Sequence, residues 1–179
     1  MATTQFLFSG FGGQGILFAG KFIAYKGLTE GKQVSWLPSY GPEMRGGTAS
    51  CSVIVSDENV GSPIVSKPDV LVAMNLPSLD RFESAVVPGG LIFADSTLIE
   101  RKVARDDVKA FYIPATRLAS ENSLGNLANM IIIGKVLKVL DEFGEESVAA
   151  ALKKVISAKH ADMMEINAKA IRLGAEYEG

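Results

Sequence analysis

The sequence is poor in the residues that carry most enzyme chemistry. Its 179 residues include one cysteine, Cys51, and one histidine, His160. Two such residues cannot form a disulfide within the chain, an iron–sulfur cluster held by four of its own thiolates, or a zinc site of the usual cysteine and histidine kind. The GxSxG motif of many serine hydrolases does not occur either. Any demanding chemistry therefore has to come from a bound cofactor or from another subunit.

Neither the charge nor the apolar runs indicate a nucleic acid or a membrane as partner. The net charge is -2 and the pI is near 5.5, so the chain has no excess of basic residues that would attract a nucleic acid or an anionic membrane. The apolar stretch from Met130 to Gly134 ends at Lys135 and is far shorter than a membrane span. The amino terminus lacks the basic region and the cleavage site of a secretory signal. We therefore expect a cytoplasmic protein.

The composition predicts one folded domain over residues 1–179. Hydrophobic residues make up 47% of the chain and charged residues 21%, which is typical of globular proteins. This length is enough for one domain with a substantial core. The sequence shows no internal repeat, linker or low-complexity segment that would divide it.

Strand-like and helix-like segments alternate along the chain. Five short segments are predicted strands: FLFSGF, DVLVAMN and LIFADS have the composition of buried strands, and QVSWLP and VKAFYIPA are two further strands. A sixth segment, TASCSVIVS, alternates with a period of two and places Cys51 on an apolar face. Helical periodicity runs from Gly13 to about Leu28 and resumes from Leu124. The pattern predicts an α/β, Rossmann-like fold with a mainly parallel sheet flanked by helices, TASCSVIVS as a candidate antiparallel strand, and helices at the carboxy-terminal end.

A glycine-rich turn lies between the first predicted strand and the first predicted helix. It reads GFGGQGI, with Gly10, Gly12 and Gly15 at the GxGxxG positions and Gly13 as an extra glycine. The N–H groups of Gly13, Gln14 and Gly15 would open a helix whose dipole favours an anion. The second strand, however, ends without the acidic residue that holds the ribose of NAD. We expect an anion or partner contact; the alternatives are a turn that only packs helix against strand, and an NAD or FAD site.

A second loop, SYGPEMRGG, follows the second predicted strand. Its candidate contact residues are Tyr40, Glu43, Arg45, Gly46 and Gly47. Loops at the carboxyl ends of strands converge at the ligand crevice of such folds, so this loop is expected to face the glycine turn. Arg45 would offer a planar cation to a carboxylate or phosphate. The alternative is a surface turn whose charged side chains are only solvated.

Three asparagines are further candidates. Asn75 lies at the end of the DVLVAMN strand, where site residues gather, although a turn or cap role explains it as well. Asn126 and Asn129 interrupt an apolar helix and are expected to be buried and hydrogen-bonded or to face a partner chain. Cys51 is expected to be a core residue, and His160 to be exposed.

Four motifs occur in the order of a known family. GFGGQGI, YGPEMRGG, SPIVSKPDVLVAMN and LGNLANM resemble the gamma subunit of 2-oxoacid:ferredoxin oxidoreductases, and the resemblance runs from about Phe6 to Gly134. Phe11 and YGPEMRGG resemble the 2-oxoglutarate type. The pyruvate type tends to have an arginine after the first glycine and an ERRG-like second loop.

The resemblance implies a non-redox subunit of a larger enzyme. Such complexes convert a 2-oxoacid, coenzyme A and an oxidised acceptor such as ferredoxin into an acyl-CoA (succinyl-CoA from 2-oxoglutarate), carbon dioxide and the reduced acceptor. Alpha, beta and ferredoxin-like delta subunits hold thiamine diphosphate, magnesium and iron–sulfur clusters. The chain by itself would bind none of these groups and would be inactive alone. The alternatives are a free-standing nucleotide- or coenzyme-binding module and a gamma subunit of the pyruvate or indolepyruvate type.

Overall fold

The computed structural model describes residues 2–39, 48–142 and 144–179. Across these ranges six strands form one sheet with helices on both faces, which confirms the predicted α/β class. The strands are β1 (Thr3–Gly10), β2 (Gln33–Ser39), β3 (Ala49–Ser56), β4 (Val70–Ala73), β5 (Leu91–Asp95) and β6 (Lys109–Ile113).

The sheet is mostly parallel, with the strand order β2-β3-β1-β4-β5-β6. Strands β1, β4, β5 and β6 run parallel, whereas β3 runs antiparallel to both β1 and β2. The expected antiparallel TASCSVIVS strand is thus confirmed. We call the edge at which β1, β4, β5 and β6 end the carboxyl edge. Because Gly10 pairs with Ala49 and Ser39 pairs with Ser50, the connection between β2 and β3 is also attached at this edge.

Six α-helices in the described ranges connect or follow the strands: α1 (Ile16–Thr29), α2 (Leu76–Phe82), α3 (Ala115–Glu121), α4 (Ala128–Val139), α5 (Glu145–Val155) and α6 (Met163–Glu176). Helix α1 begins three residues later than the sequence predicts, because residues 13–15 belong to the glycine-rich turn. None of the helices in the described ranges has the length and apolar character needed to cross a membrane.

Helix α3 was not predicted from the sequence. The helix begins directly after Pro114, and its N-cap residue makes no side-chain hydrogen bond. The side chain that caps its amino terminus lies at the end of β5. The carboxylate of Asp95, at the end of β5, accepts hydrogen bonds from the backbone N–H and the hydroxyl of Thr116. A cap supplied from 21 positions away leaves no local signal before the helix.

The two faces of the sheet carry separate hydrophobic clusters. The larger one packs α1, α4, α5 and α6 against one face, and the smaller one includes α2 on the other. Successive β1 residues divide between them, since Phe6 and Phe8 belong to the larger cluster and Leu7 to the smaller. Helix α4 is buried on most sides, as its nearly continuous apolar sequence predicts.

Cys51 is a core residue, as predicted. Its side chain is 1% exposed and its Sγ donates a hydrogen bond to the carbonyl of Ile16 at 3.5 Å. Burial raises the pKa of the Cys51 thiol to about 12, so the thiol is protonated at neutral pH and is a poor nucleophile. His160 is exposed, also as predicted.

Candidate functional site

The glycine loop, residues 11–15, joins β1 to α1 at the carboxyl edge. Gly13 has φ +89 and Gly15 has φ +73, in the left-handed region that favours glycine. A Cβ on Gly15 would also lie 2.3 Å from Nδ2 of Asn129. A Cβ on Gly10 would lie 2.6 Å from Oε1 of Gln14. Gly12, in contrast, is exposed, and none of the described atoms lies within 4 Å of a Cβ placed there.

Gln14 holds the loop together. Its Oε1 accepts a hydrogen bond from the Phe11 N–H at 2.6 Å, and its Nε2 donates to the Met74 carbonyl at 3.1 Å. Its own backbone N–H donates to the Phe11 carbonyl at 3.2 Å. Of the three N–H groups that the sequence offers to an anion, that of Gln14 is therefore used inside the turn. The side chain instead ties the loop to the end of β4.

Asn129 attaches the loop to α4. Its Nδ2 donates to the Gly15 carbonyl at 3.0 Å, across 114 positions of the chain. The side chain is buried, so the expectation of a buried, hydrogen-bonded asparagine is confirmed for Asn129. Its Oδ1 has no hydrogen-bond partner in the part of the chain that the structure describes. Asn126, in contrast, is exposed and lies in the turn before α4, because this helix begins at Ala128 and not at Leu124 as the sequence predicts.

Two cavities, each of about 290 Å³, lie on either side of Gly13. The first, which we call the helix cavity, lies between the glycine loop, the start of α4 and the start of α6. Its walls include Phe18, Leu127, Asn129, Ile156, Met163 and Asn167. The second lies above the ends of β4 and β5, and its walls include Gln14, Met74, Leu98, Thr116 and Ala119. The glycine loop thus borders two spaces at the edge where such folds bind ligands.

Of the other predicted site residues, Asn75 does not line either cavity, and those of the SYGPEMRGG loop lie outside the described ranges. Asn75 is buried and caps α2, with its Oδ1 accepting from the Ser78 N–H at 2.8 Å. The cap role that the sequence allowed is therefore present. Tyr40, Glu43, Arg45, Gly46 and Gly47 lie outside the described residues. The strands on either side of them, ending at Ser39 and starting at Ala49, meet the carboxyl edge beside Gly10.

The sequence pattern does not identify Asn167 as a site residue. This residue lies on α6, where its Nδ2 donates to the Met163 carbonyl at 2.8 Å, and it is as deeply buried as Asn129. The available signal was a polar residue among the apolar positions of an amphipathic helix. That signal does not say which element the residue faces.

The comparison with protein families decides which family the chain belongs to. Residues 5–177 match the family described as pyruvate ferredoxin/flavodoxin oxidoreductase. The chain belongs to this family. The resemblance to gamma subunits that the four motifs indicate is thereby confirmed.

Two relatives show how the chain compares with other members of the pyruvate ferredoxin/flavodoxin oxidoreductase family. Ketoisovalerate oxidoreductase subunit VorA of Methanothermobacter thermautotrophicus is 41% identical over 170 residues, which are 94% of this chain and 35% of the relative. The chain thus spans about a third of that relative's length. 2-Oxoglutarate synthase subunit KorC of Methanocaldococcus jannaschii is 36% identical over 147 residues, 80% of this chain and 79% of the relative.

A solved structure shares the whole fold. It is the keto/oxoacid ferredoxin oxidoreductase gamma subunit from Geobacter sulfurreducens PCA, with 27% identity and a TM-score of 0.81. The match covers 97% of this chain and 96% of that one. The strand order and the helices described above are therefore those of a gamma subunit in this family.

Proposed function

We propose that the chain is the non-redox gamma subunit of a multisubunit enzyme that oxidatively decarboxylates a 2-oxoacid. Coenzyme A is the co-substrate, an acyl-CoA and carbon dioxide are the products, and ferredoxin or a similar acceptor takes the electrons. The observation that carries the proposal is the family match over residues 5–177. The fold shared with a gamma subunit supports it.

In this proposal the redox groups belong to partner subunits. Alpha, beta and ferredoxin-like delta subunits hold thiamine diphosphate, magnesium and the iron–sulfur clusters. When bound, these groups supply carbanion stabilisation and one-electron transfer. Cys51 is the one cysteine of the sequence and its thiol is buried in the core, so the thiolates of a cluster come from a partner. The contribution of this chain is to bind and orient.

The glycine loop and the SYGPEMRGG segment are the proposed contact residues. Gly13 and Gly15 place backbone at the cavities, and both ends of the SYGPEMRGG segment attach to strands at the same edge. Backbone N–H groups and an arginine suit the carboxylates of a 2-oxoacid and the phosphates of coenzyme A. We infer that this edge lines the substrate and coenzyme side of the complex, with a contact to a neighbouring subunit as the alternative.

We propose 2-oxoglutarate as the 2-oxoacid, with succinyl-CoA as the product. The support is the Phe11 and YGPEMRGG motifs and the KorC relative, which the chain matches over most of its length. Ketoisovalerate is the second candidate because the VorA relative is 41% identical. The two acids differ in charge, since 2-oxoglutarate carries a second carboxylate where ketoisovalerate carries a branched apolar group.

Purification of the complex tests the proposed function. The tagged chain is isolated from its native cells without oxygen, and the eluate is assayed for coenzyme A-dependent dye reduction. We expect copurifying subunits and activity with 2-oxoglutarate. Activity only with ketoisovalerate or only with pyruvate would keep the enzyme class and replace the substrate. A chain that emerges alone and inactive with all three acids would contradict the subunit role and favour a free-standing binding module.

Substitution of Arg45 tests the proposed contact. In the reconstituted complex, Arg45→Ala is expected to raise the apparent KM for coenzyme A or for the 2-oxoacid by about tenfold or more, because a hydrogen bond to a charged group contributes roughly 1.5–3 kcal/mol. Arg172→Ala is the matched control, since this arginine is exposed on α6 and pairs only with Glu145 among the described residues. Steady-state kinetics measure both. Unchanged KM values for both substrates in Arg45→Ala would exclude a direct contact.

A further inference from the structure

We propose that one face of the sheet binds the same face of a second copy of this chain across a two-fold axis. The surface consists of two adjoining cavities along β3, on the side of the sheet that carries α2, and we call it the β3 groove. It lies apart from the two cavities beside Gly13. The contact goes beyond the proposed function and does not depend on it, and the test uses the full chain without partner subunits.

The β3 groove follows the length of its strand. Ser50 and Ser52 line a cavity of about 530 Å³, and Ile54 and Ser56 line one of about 300 Å³. These four side chains alternate along β3 and therefore point to the same face of the sheet. Ile64 lines both cavities, so they adjoin, and other residues of the connection between β3 and β4 complete the wall.

In the described ranges, the helices leave this half of the sheet face open. Helix α2 packs mainly against β1 and β4 and only borders the groove with its last turn. Leu7 of the smaller hydrophobic cluster pairs with Ser52, and the cluster does not extend further along this face. Leu37 and Ile64, which are 40% and 67% exposed, line the larger cavity together. Exposed apolar side chains grouped in one patch mark an interaction surface.

The two ends of the β3 groove carry opposite charges. Glu58 lines the end where β3 finishes, and Arg81 lines the end where β3 begins. Among the described residues these are the only charged side chains of the lining, and neither forms a salt bridge with another described residue. The guanidinium carbon of Arg81 lies 5.1 Å from the centroid of the Phe82 ring. Serines and apolar side chains fill the space between the two charges.

Opposite charges at the ends and an uncharged centre make the groove self-complementary. A two-fold axis near Ile64 would place Glu58 of each copy opposite Arg81 of the other, and the two Ile64 side chains against each other. Such a contact pairs charges at both ends and buries apolar surface at its centre, as specific interfaces do. A partner of one charge would match only one end of the groove. We therefore assign the groove to a second copy of this chain.

Charge reversals at the two ends test the contact. By sedimentation velocity we expect the full chain to have a mass of twice 19.0 kDa at micromolar concentrations. Arg81→Glu and Glu58→Arg each replace two attractive contacts per dimer by repulsive ones, so each is expected to raise the dissociation constant roughly a hundredfold. Both residues are exposed, so the fold is expected to tolerate the changes. Lys169→Glu, at an exposed position of α6, is the control for net charge and should leave the dimer unchanged.

Combining the two reversals tests the two-fold arrangement itself. The double variant Glu58→Arg/Arg81→Glu has attractive contacts again, so its dissociation constant should return to within about threefold of the original. A mixture of the two single variants should form a heterodimer, because one copy carries two arginines at these positions and the other two glutamates. A monomeric original chain, a dimer that neither reversal weakens, or a double variant that stays monomeric would overturn the proposal. A monomeric chain whose Arg81→Glu variant loses a copurifying subunit would assign the groove to that subunit instead.

Discussion

Replacement of Gly134 by alanine is expected to lower the free energy of unfolding by about 3 kcal/mol, although alanine is the better helix former. A Cβ at this position would lie 1.8 Å from the carbonyl oxygen of Ile171 and 2.7 Å from its carbon. Both atoms belong to the backbone of α6 and cannot rotate away, so α4 and α6 would have to separate. The helix-propensity gain of roughly 1 kcal/mol is smaller than the packing lost at the centre of the core.

Because α4 and α6 are in close contact at these glycines, a substitution on α6 is expected to have the same effect as the one on α4. A Cβ on Gly174 would lie 1.7 Å from the carbonyl oxygen of Ile131, so Gly174→Ala is expected to destabilise by a similar amount. The double variant should lose less than the sum, because the first separation of the helices makes room for the second methyl group. Urea unfolding of the three variants measures these free energies.

Gly61→Ala is the control for the helix crossing. Gly61 lacks a positive φ, and a Cβ there has none of the described atoms within 4 Å. Its effect should stay within about 0.5 kcal/mol. A Gly134→Ala variant as stable as the original chain would show that α4 and α6 do not cross as closely as their glycines imply.

Gly15→Ala is expected to destabilise the chain by about 2–3 kcal/mol and to reduce the activity of the proposed complex. A residue other than glycine costs roughly 1–2 kcal/mol in the left-handed region, where Gly15 has φ +73. The added Cβ would also lie 2.3 Å from Nδ2 of Asn129 and displace it from the Gly15 carbonyl, which loses about 1 kcal/mol more. Thermal unfolding measures the stability, and dye reduction by the reconstituted complex measures the activity.

Gly12→Ala distinguishes an effect on the conformation of the loop from an effect on what the loop surface binds. Gly12 lies in the same turn without a positive φ and without a described atom near the new Cβ, so stability should change by no more than about 0.5 kcal/mol. A stable Gly12→Ala variant with impaired complex activity would indicate that the loop surface touches a ligand or partner. A Gly15→Ala variant with unchanged stability would contradict the attachment of the loop to α4.

Local patterns predicted most of the elements. The period of two in TASCSVIVS identified β3, and the unbroken apolar run DVLVAMN identified β4, because strand periodicity is visible within a few residues. Helix α3 was missed because Asp95, which caps it, is not adjacent in the sequence. The start of α1 was placed too early because the pattern does not show that Gly13 and Gly15 adopt positive φ.

Local patterns likewise reveal only part of the candidate site. The glycines of the loop were recognisable because short motifs constrain the backbone locally. The role of Gln14 was not, since its side chain reaches the carbonyl of Met74, 60 positions away. In the sequence Asn129 is visible only as an interruption of an apolar helix, and Asn167 carries no local signal that points to the site.

The sequence by itself determined the α/β class, the glycine loop and the family, because residue periodicity and short ordered motifs are properties of neighbouring positions. The tertiary structure alone decided that α4 and α6 meet at Gly134 and Gly174, and that two asparagines from different helices border one cavity. The physical reason is distance along the chain. Contacts such as that between Asn129 and Gly15, 114 positions apart, depend on how helices pack across the sheet, which no local pattern encodes.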